Sequence, residues 1–292
     1  MKPITLFRIK KKLLRTFFYE QWSLLVCDPD GNILKTIIPP INCQWADPFP
    51  VEYNGKTYIF IEQQLGSANG TLGVIELYPD LTISVLTPIL EKNYHLSFPN
   101  VFCIREGNND IWYMIPETHE NNTIDLYQAS DFPYKWDYTM TLMHNVIAVD
   151  STVFYYNQKW WLFTNIETKP DPINKNLSAF YSNSFPSDTW TPHLQNPLVS
   201  NLENSRMAGT VFYNTQNRSP YRPAQNCLKD YGKETNINEI MELTPFSYKE
   251  KLINTYLPER NLHAVCTHTI NYTDKYMLRD IKTRTFRGNL KK

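Results

Sequence analysis

A hairpin pattern recurs five times along the 292-residue chain, and this repetition limits the folds open to it. Each copy is a run rich in β-branched and aromatic residues, then a polar turn, then a second such run. This order is typical of an antiparallel β-hairpin. The copies begin at Asp47, Phe98, Asp150, Ala208 and Thr267. Their spacing of about 50 to 60 residues is the period expected of propeller blades.

Further strand-like segments follow the first four hairpins, so each of these repeats would complete a four-stranded blade. The fifth hairpin lies near the C-terminus and lacks such a pair. The N-terminal stretch WSLLVCDPDGNILKTI can supply the missing strands and close the ring, which protects the sheet edges. The sequence therefore predicts an all-β, five-bladed β-propeller over residues 21–292. A basic amphipathic segment, residues 1–20, precedes it, with a short helix as one option.

Charge and cysteine content narrow the functional classes. The chain has 29 basic and 29 acidic residues, so no basic surplus exists to neutralise a phosphate backbone, which argues against a nucleic-acid partner. Five cysteines without a CxxC pair favour reduced thiols in a cytoplasmic protein over a disulfide framework. No close set of Cys and His has the spacing of a zinc site. We therefore predict neither a metal nor a cofactor.

The N-terminal segment has two interpretations. It carries the cations Lys10, Lys11, Lys12 and Arg15, with Leu13, Leu14, Phe17 and Phe18 around them. It lacks the apolar core and cleavage site of a signal peptide. It could be a basic amphipathic helix on the inner face of an anionic membrane, or an ordinary helix packed on the domain.

Counting outward from the hairpin turns predicts which side chains share one rim of the central channel. Residues at equal distance from a two-residue turn face each other across the strands. The turns used are Asn54–Gly55, Gly107–Asn108, Asn157–Gln158 and Gln216–Asn217. The predicted rim contains Asp47 with Glu62, Glu117 opposite Phe98, Asp150 with Asn165, and Gln225 opposite Ala208, with Thr267 and Asp280 less firmly placed.

Three carboxylates of this rim, Asp47, Glu117 and Asp150, are the predicted catalytic residues. Acetal chemistry needs a proton donor for the leaving oxygen and a base or nucleophile across the sugar ring. Carboxylates on separate blades around a funnel could supply both. The alternative is that the aspartates bond backbone amides at the strand starts.

Other polar and aromatic groups are predicted to bind substrate at the same rim. Arg206 and Arg222 could hold a phosphate or carboxylate, or form salt bridges between blades. His268 could bond a sugar hydroxyl, or be structural. Trp45 offers a sugar-stacking face. With these go Glu62, Asn165 and Gln225 from the rim itself.

The chain resembles a known family in the order and spacing of short motifs between Trp45 and Thr269. They are WADPFPVEYNGKTYIFIE, SFPNVF, MIPE, VDSTVF, KWWLFT, SRMAG, YRPAQN, DYG and THT. The family is the amino-terminal domain of plant glucosamine inositolphosphorylceramide transferases, which is itself similar to the five-bladed propellers of family 43 glycoside hydrolases. This likeness implies that Asp47 is the base and that Asp150 tunes the acid.

One departure from the hydrolase pattern affects the reaction. The likeness implies an acidic Glu at the opening of the fourth blade, but this chain has Ala208 and Gly209 there. Glu117 or Glu62 could replace that acid. Alternatively, a sugar nucleotide could leave as phosphate, stabilised by Arg206 or Arg222. The leading hypothesis is a glycosyltransferase that makes a surface polysaccharide or glycolipid from a sugar nucleotide or glycan substrate. A furanosidase-type glycoside hydrolase and a non-catalytic glycan-binding propeller are the alternatives.

Overall fold

The structure is a computed structural model that describes residues 16–107, 109–213 and 218–289. In this part of the chain the regular structure is almost entirely β, and five antiparallel sheets form the five blades of a propeller. The predicted fold is confirmed. Residues 1–15, with Lys10 to Lys12 and Arg15, lie outside the described residues, as do parts of the predicted turns at Asn108 and Gln216–Asn217.

The first two strands of the chain, β1 (Phe18–Cys27) and β2 (Ile33–Ile37), belong to blade 5, which the last strands complete. Blades 1 to 4 follow in chain order. Blade 1 contains β3 (Cys43–Tyr53), β4 (Lys56–Leu65), β5 (Thr71–Leu77) and β6 (Thr87–Leu90). Blade 2 contains β7 (Ser97–Glu106), β8 (Asn109–Glu117), β9 (Thr123–Asp131) and β10 (Lys135–His144). Blade 3 contains β11 (Ala148–Tyr156), β12 (Lys159–Ile166), β13 (Asn176–Ser182), β14 (Thr191–Pro192) and β15 (Val199–Ser200).

The remaining strands complete the ring. Blade 4 contains β16 (Arg206–Met207), β17 (Phe212–Tyr213), β18 (Pro220–Asn226), β19 (Glu234–Leu243) and β20 (Tyr248–Tyr256). Blade 5 is completed by β21 (Ala264–Cys266), β22 (Ile270–Tyr272) and β23 (Met277–Phe286). Short 3₁₀ turns occur at His119–Asn121, Arg260–Leu262 and Arg287–Asn289.

An N-terminal strand closes the ring, as predicted. β1 pairs antiparallel with β23 along its whole length, from Phe18 opposite Phe286 to Cys27 opposite Met277. The sheet order of blade 5 is β2-β1-β23-β21, so both ends of the chain build one blade. Because β1 begins at Phe18, residues 18–20 of the predicted N-terminal segment already lie in this blade.

Apolar side chains fill the space between neighbouring blades. One cluster of buried residues joins blades 1 to 4 and includes Phe60, Phe98 and Trp161. Phe49 of blade 1 meets Phe98 of blade 2 edge to face, with ring centroids 4.9 Å apart. Such aromatic contacts between stacked sheets account for the many Phe, Tyr and Trp residues.

A β-bulge near the start of the first strand shifts the register in three blades. The observed pairs are Ala46 with Glu62, Ser97 with Glu117, and Val149 with Asn165. The predicted partners Asp47, Phe98 and Asp150 each lie one residue further on, inside the bulge, with φ of 50°, 47° and 52°. The bulge adds one residue to the first strand, so counting outward from the turn stops one position short of the true partner. In blade 4, Gln225 likewise faces Arg206 and not Ala208.

Candidate functional site

The bulges link neighbouring blades through carboxylates. The amide N–H of Asp47 donates to Asp280 Oδ2 at 3.1 Å. The amide of Phe98 donates to Asp47 Oδ2 at 3.1 Å, and that of Asp150 donates to Glu117 Oε2 at 3.3 Å. Each carboxylate thus accepts the bulge amide of the next blade. Asp47 therefore bonds a backbone amide, and the pattern holds these carboxylates at one end of the ring.

Asp47, Glu117 and Asp150 line one cavity of about 230 Å³ that receives residues from all five blades. Its lining residues are Trp22, Gln44, Ala46, Asp47, Glu62, Gln64, His95, Ser97, Glu117, His119, Asp150, Arg206, Tyr231 and His268. Six predicted site residues are among them: Asp47, Glu62, Glu117, Asp150, Arg206 and His268. The structure therefore brings the three proposed catalytic carboxylates together.

One wall of the cavity is built around Asp47 and His268. His268 Nδ1 lies 2.6 Å from Asp280 Oδ2, and its Nε2 lies 3.7 Å from Asp47 Oδ1. Thr269 Oγ1 donates to Asp47 Oδ1 at 2.6 Å. Burial raises the pKa of Asp47 to about 6, although the nearby imidazole opposes this. Asp47 can therefore exchange a proton near neutral pH.

Among the described residues, the same wall is the candidate site for a metal cation. Asp47, His268 and Asp280 offer ligand atoms within 4.8 Å of one another. Burial opposes protonation of His268, but Asp280 and Asp47 together raise its pKa to about 9. The imidazolium then supplies the positive charge between the two carboxylates, and it competes with a metal for them.

A second wall of the cavity is organised by Arg206, which is 8% exposed. Its Nε donates to Asp150 Oδ2 at 2.5 Å, and its Nη2 lies 3.4 Å from Glu117 Oε2. Its Nη1 donates to Asn174 Oδ1 at 2.6 Å, and Gln225 Nε2 donates to Asp150 Oδ2 at 2.9 Å. One guanidinium therefore serves two buried carboxylates that belong to different blades.

The two carboxyl groups on Arg206 differ in acidity. Burial raises the pKa of Asp150 against the opposing charge of Arg206, and the charge of Glu117 adds to the rise. Burial also acts on Glu117, but its bond to His119 and the charge of Arg206 lower its pKa to about 2. Glu117 is therefore ionised at neutral pH, which argues against its predicted role as a general acid.

Two histidines at the cavity were not predicted. His119 Nδ1 lies 2.7 Å from Glu117 Oε1, and this bond raises the pKa of the imidazole. His95 Nε2 lies 3.3 Å from Glu62 Oε1, and its Nδ1 accepts the amide of Gly70 at 2.9 Å. Both histidines lie outside the hairpin strands, where counting from a turn gives no register. The sequence signal for His119 is its position two residues after Glu117.

Four predicted substrate-binding residues do not line the cavity. Trp45 packs in the core with Leu24 and Ile61, because alternate residues of a strand point to opposite faces and its neighbours Gln44 and Ala46 take the cavity face. Arg222 is fully buried and bonds Glu250 within its own blade, at 2.7 Å.

The other two, Asn165 and Gln225, are buried behind the cavity wall. Asn165 accepts the amide of Met207 at 3.3 Å, and Gln225 supports Asp150. Both residues therefore act on the site from outside it, through the groups they hold.

The opening of blade 4 has no room for a carboxylate. A Cβ atom added at Gly209 would lie 2.1 Å from the carbonyl oxygen of Ile270. Ala208 is fully buried, and its carbonyl accepts the amide of Ile270 at 2.7 Å. Arg206, two residues earlier, is the side chain of this segment that lines the cavity.

Residues 39–271 match the family model described as glucosamine inositolphosphorylceramide transferase 1, N-terminal. A protein named glucosamine inositolphosphorylceramide transferase 1 from Oryza sativa subsp. japonica is 33% identical over 220 residues, which cover 73% of this chain and 28% of that protein. The protein of the same name from Arabidopsis thaliana is 31% identical over 210 residues, covering 70% and 26%. The chain thus spans little more than a quarter of the length of these relatives.

Solved structures show the same architecture at low identity. The catalytic domain of a family 62 α-L-arabinofuranosidase from Coprinopsis cinerea aligns with a TM-score of 0.62 and 12% identity, covering 91% of this chain and 96% of that one. An exo-β-1,3-galactanase from Clostridium thermocellum aligns with a TM-score of 0.55 and 10% identity, covering 80% and 59%. Among the described residues, no helix is long and apolar enough to cross a bilayer.

Proposed function

This chain belongs to the family of the N-terminal domain of glucosamine inositolphosphorylceramide transferase 1, and we propose that its cavity binds one sugar residue and transfers it to an acceptor. The observation that carries the proposal is the convergence of four carboxylates, three histidines and one arginine on a single cavity. At about 230 Å³ the cavity is smaller than those that hold drug-sized ligands, which suits a single ring.

Asp47 is the proposed base. With a pKa of about 6, its carboxylate is mostly ionised at neutral pH and can accept the proton of an acceptor hydroxyl as that oxygen bonds to the sugar. The bond from Thr269 and the amide of Phe98 fix its orientation. A nucleophilic role, in which Asp47 itself bonds to the sugar, is compatible with the same contacts.

The proposed proton donor is His119, held by Glu117. The low pKa of Glu117 keeps it ionised, so it orients the imidazole through Nδ1 and favours its protonated form. His119 is a third exposed and lines the cavity, so its other nitrogen can deliver a proton to a departing oxygen. After transfer, Asp47 holds one proton and His119 has lost one, and exchange with water restores both.

Arg206 and Asp150 supply the proposed electrostatic support. Arg206 places a guanidinium, shared with Asp150 and Glu117, at the opening of blade 4, where the resemblance to hydrolases implies an acid. A positive charge favours a leaving group that departs with negative charge, such as the phosphate of a sugar nucleotide. Asp150 tunes the acidity of this side of the cavity through the shared guanidinium.

Hydrolysis is the second candidate, because the propeller resembles glycoside hydrolases in fold. The blocked position at Gly209 argues against the hydrolase arrangement of the acid, since no side chain fits there. Binding of a glycan without turnover is the third candidate.

The cytoplasmic location inferred from the sequence stays a prediction.

The test is turnover by the purified chain of sugar nucleotides with glycan or lipid acceptors, and of aryl glycosides with water. Asp47→Asn keeps the size of the side chain and should lower kcat/KM by about a hundredfold or more. The control is Asp137→Asn, at an exposed position on β10. Free sugar released from aryl glycosides would favour hydrolysis. Equal activity of the two variants would remove Asp47 from the mechanism.

A further inference from the structure

Five of the exposed large apolar side chains lie on the outer ends and connecting loops of blades 1 and 5. They are Phe17, Ile38, Ile41, Leu65 and Phe286, with exposed fractions of 52%, 68%, 58%, 57% and 48%. We call this set the apolar face. Exposed apolar groups are common singly, but contiguous ones mark an interaction surface.

Contacts made by Phe286 and by residues next to other members show that the segments carrying the apolar face are neighbours. The amide of Asn42, next to Ile41, donates to Tyr19 Oη at 2.8 Å. The amide of Gly66, next to Leu65, donates to the carbonyl of Asn42 at 2.8 Å. Phe18, which follows Phe17, meets Phe286 edge to face at 5.8 Å. The loop before β3, the end of β4 and both terminal strands of blade 5 thus meet at one place.

The apolar face borders the candidate catalytic cavity. A second pocket of about 340 Å³ lies between them, lined by Phe18, Tyr19 and Gly66 on the side of the apolar face. Its other wall contains Trp22, Gln44 and Gln64, which also line the catalytic cavity. A molecule resting on the apolar face would therefore lie beside the cavity mouth.

The charges around the apolar face are mainly positive. Lys282 and Arg287 line the second pocket, over the rings of Trp22 and Tyr19. The one carboxylate of that pocket, Glu20, is neutralised by Arg284, whose Nη2 lies 2.6 Å away. The sequence adds Lys10, Lys11, Lys12 and Arg15 upstream.

We propose that the apolar face docks on an anionic lipid bilayer, with the cavity mouth turned towards the headgroups. Apolar side chains would enter the interface while the surrounding cations meet anionic lipids, and both contributions strengthen peripheral binding. A second copy of the chain is a poorer occupant, because a two-fold contact would bring the same cations together. The docking itself does not depend on the proposed catalysis, although it would bring the cavity to a lipid-linked substrate.

The experiment is co-sedimentation of the full chain with phosphatidylcholine vesicles, with and without phosphatidylserine. We expect binding only with phosphatidylserine, and weaker binding as salt rises. The double variant Ile41→Asp/Leu65→Asp should weaken partitioning about tenfold or more. The matched control is Ile253→Asp/Leu252→Asp, which alters the same residue types at similar exposure on β20 of blade 4.

Each contrary result rejects the proposal on its own. Absence of binding to anionic vesicles would do so, and so would equal loss in the two double variants. Binding that persists in Ile41→Asp/Leu65→Asp would assign attachment to the N-terminal segment alone. If the native chain is a dimer that does not bind vesicles, and only Ile41→Asp/Leu65→Asp dissociates it, the apolar face is a contact between two copies of the chain. Turnover of soluble substrates is measured without vesicles. A failure of the proposed catalysis can therefore be distinguished from a failure of membrane binding.

Discussion

Replacing Arg206 with methionine should destabilise the protein in a way that depends on pH. The guanidinium holds Asp150 at 2.5 Å and Glu117 at 3.4 Å. Without it, two buried carboxyl groups remain, and only Glu117 keeps a cationic partner, His119. Removing one partner of a buried ion pair costs about 3–5 kcal/mol. We expect the free energy of unfolding to fall by about that amount near neutral pH.

The direction of the pH effect follows from Asp150. Burial already raises its pKa in the folded protein, and loss of Arg206 removes the charge that opposes this rise. A carboxyl group whose pKa is higher folded than unfolded stabilises the protein fully below its unfolded pKa, near 3.8, and less as pH rises towards the folded value. The deficit of Arg206→Met should therefore shrink as the pH falls from neutral towards about 4.5.

Urea denaturation followed by tryptophan fluorescence, at both pH values, measures this deficit. The matched background is Asp150→Asn, in which Arg206→Met should cost clearly less, because the carboxylate is already absent. If the deficit is the same at both pH values and in both backgrounds, Arg206 stabilises the protein through packing, and the electrostatic account of this wall is wrong.

Three further outcomes follow from individual contacts. In Glu117→Gln the pKa of His119 should fall towards 6.5, because the carboxylate that raises it is gone. NMR titration of the imidazole measures this pKa, and an unchanged value would show that Glu117 does not set it. Gly209→Ala should lower the free energy of unfolding far more than Gly55→Ala, where the Cβ meets open space and only the positive φ of 77° costs about 1–2 kcal/mol. Equal losses in urea denaturation would contradict the steric argument. The kcat/KM of transfer should rise with pH through about 6 as Asp47 ionises, and a flat profile there would exclude it as the base.

The sequence predicted the ring because its information is local and repeated. Each hairpin carries its own turn and strand pattern, and the spacing of five of them predicted the number of blades. The exposed edge left at the last hairpin predicted closure by the strand that contains Trp22. These conclusions needed no contact between distant residues, apart from the closing pair.

The site was harder to predict where geometry departs from regular strands. The bulges at Asp47 and Asp150 shift the pairing of each strand by one residue relative to a regular hairpin. The alternating pattern of a hairpin sequence contains no signal for such a bulge. Regular alternation places Trp45 on the same face as Asp47, two residues later, but the bulge after Ala46 turns Asp47 to the cavity and leaves Trp45 in the core. His119 and His95 come from connections between strands, and the pKa of Glu117 depends on Arg206, 89 residues away.

A crystal structure of the Asp47→Asn protein with the sugar donor that the native chain turns over would locate the site directly. The account predicts a single sugar ring in the cavity, within hydrogen-bond distance of His119 and of the side chain at position 47. A sugar bound on the outer surface, or an empty cavity at saturating donor, would contradict it.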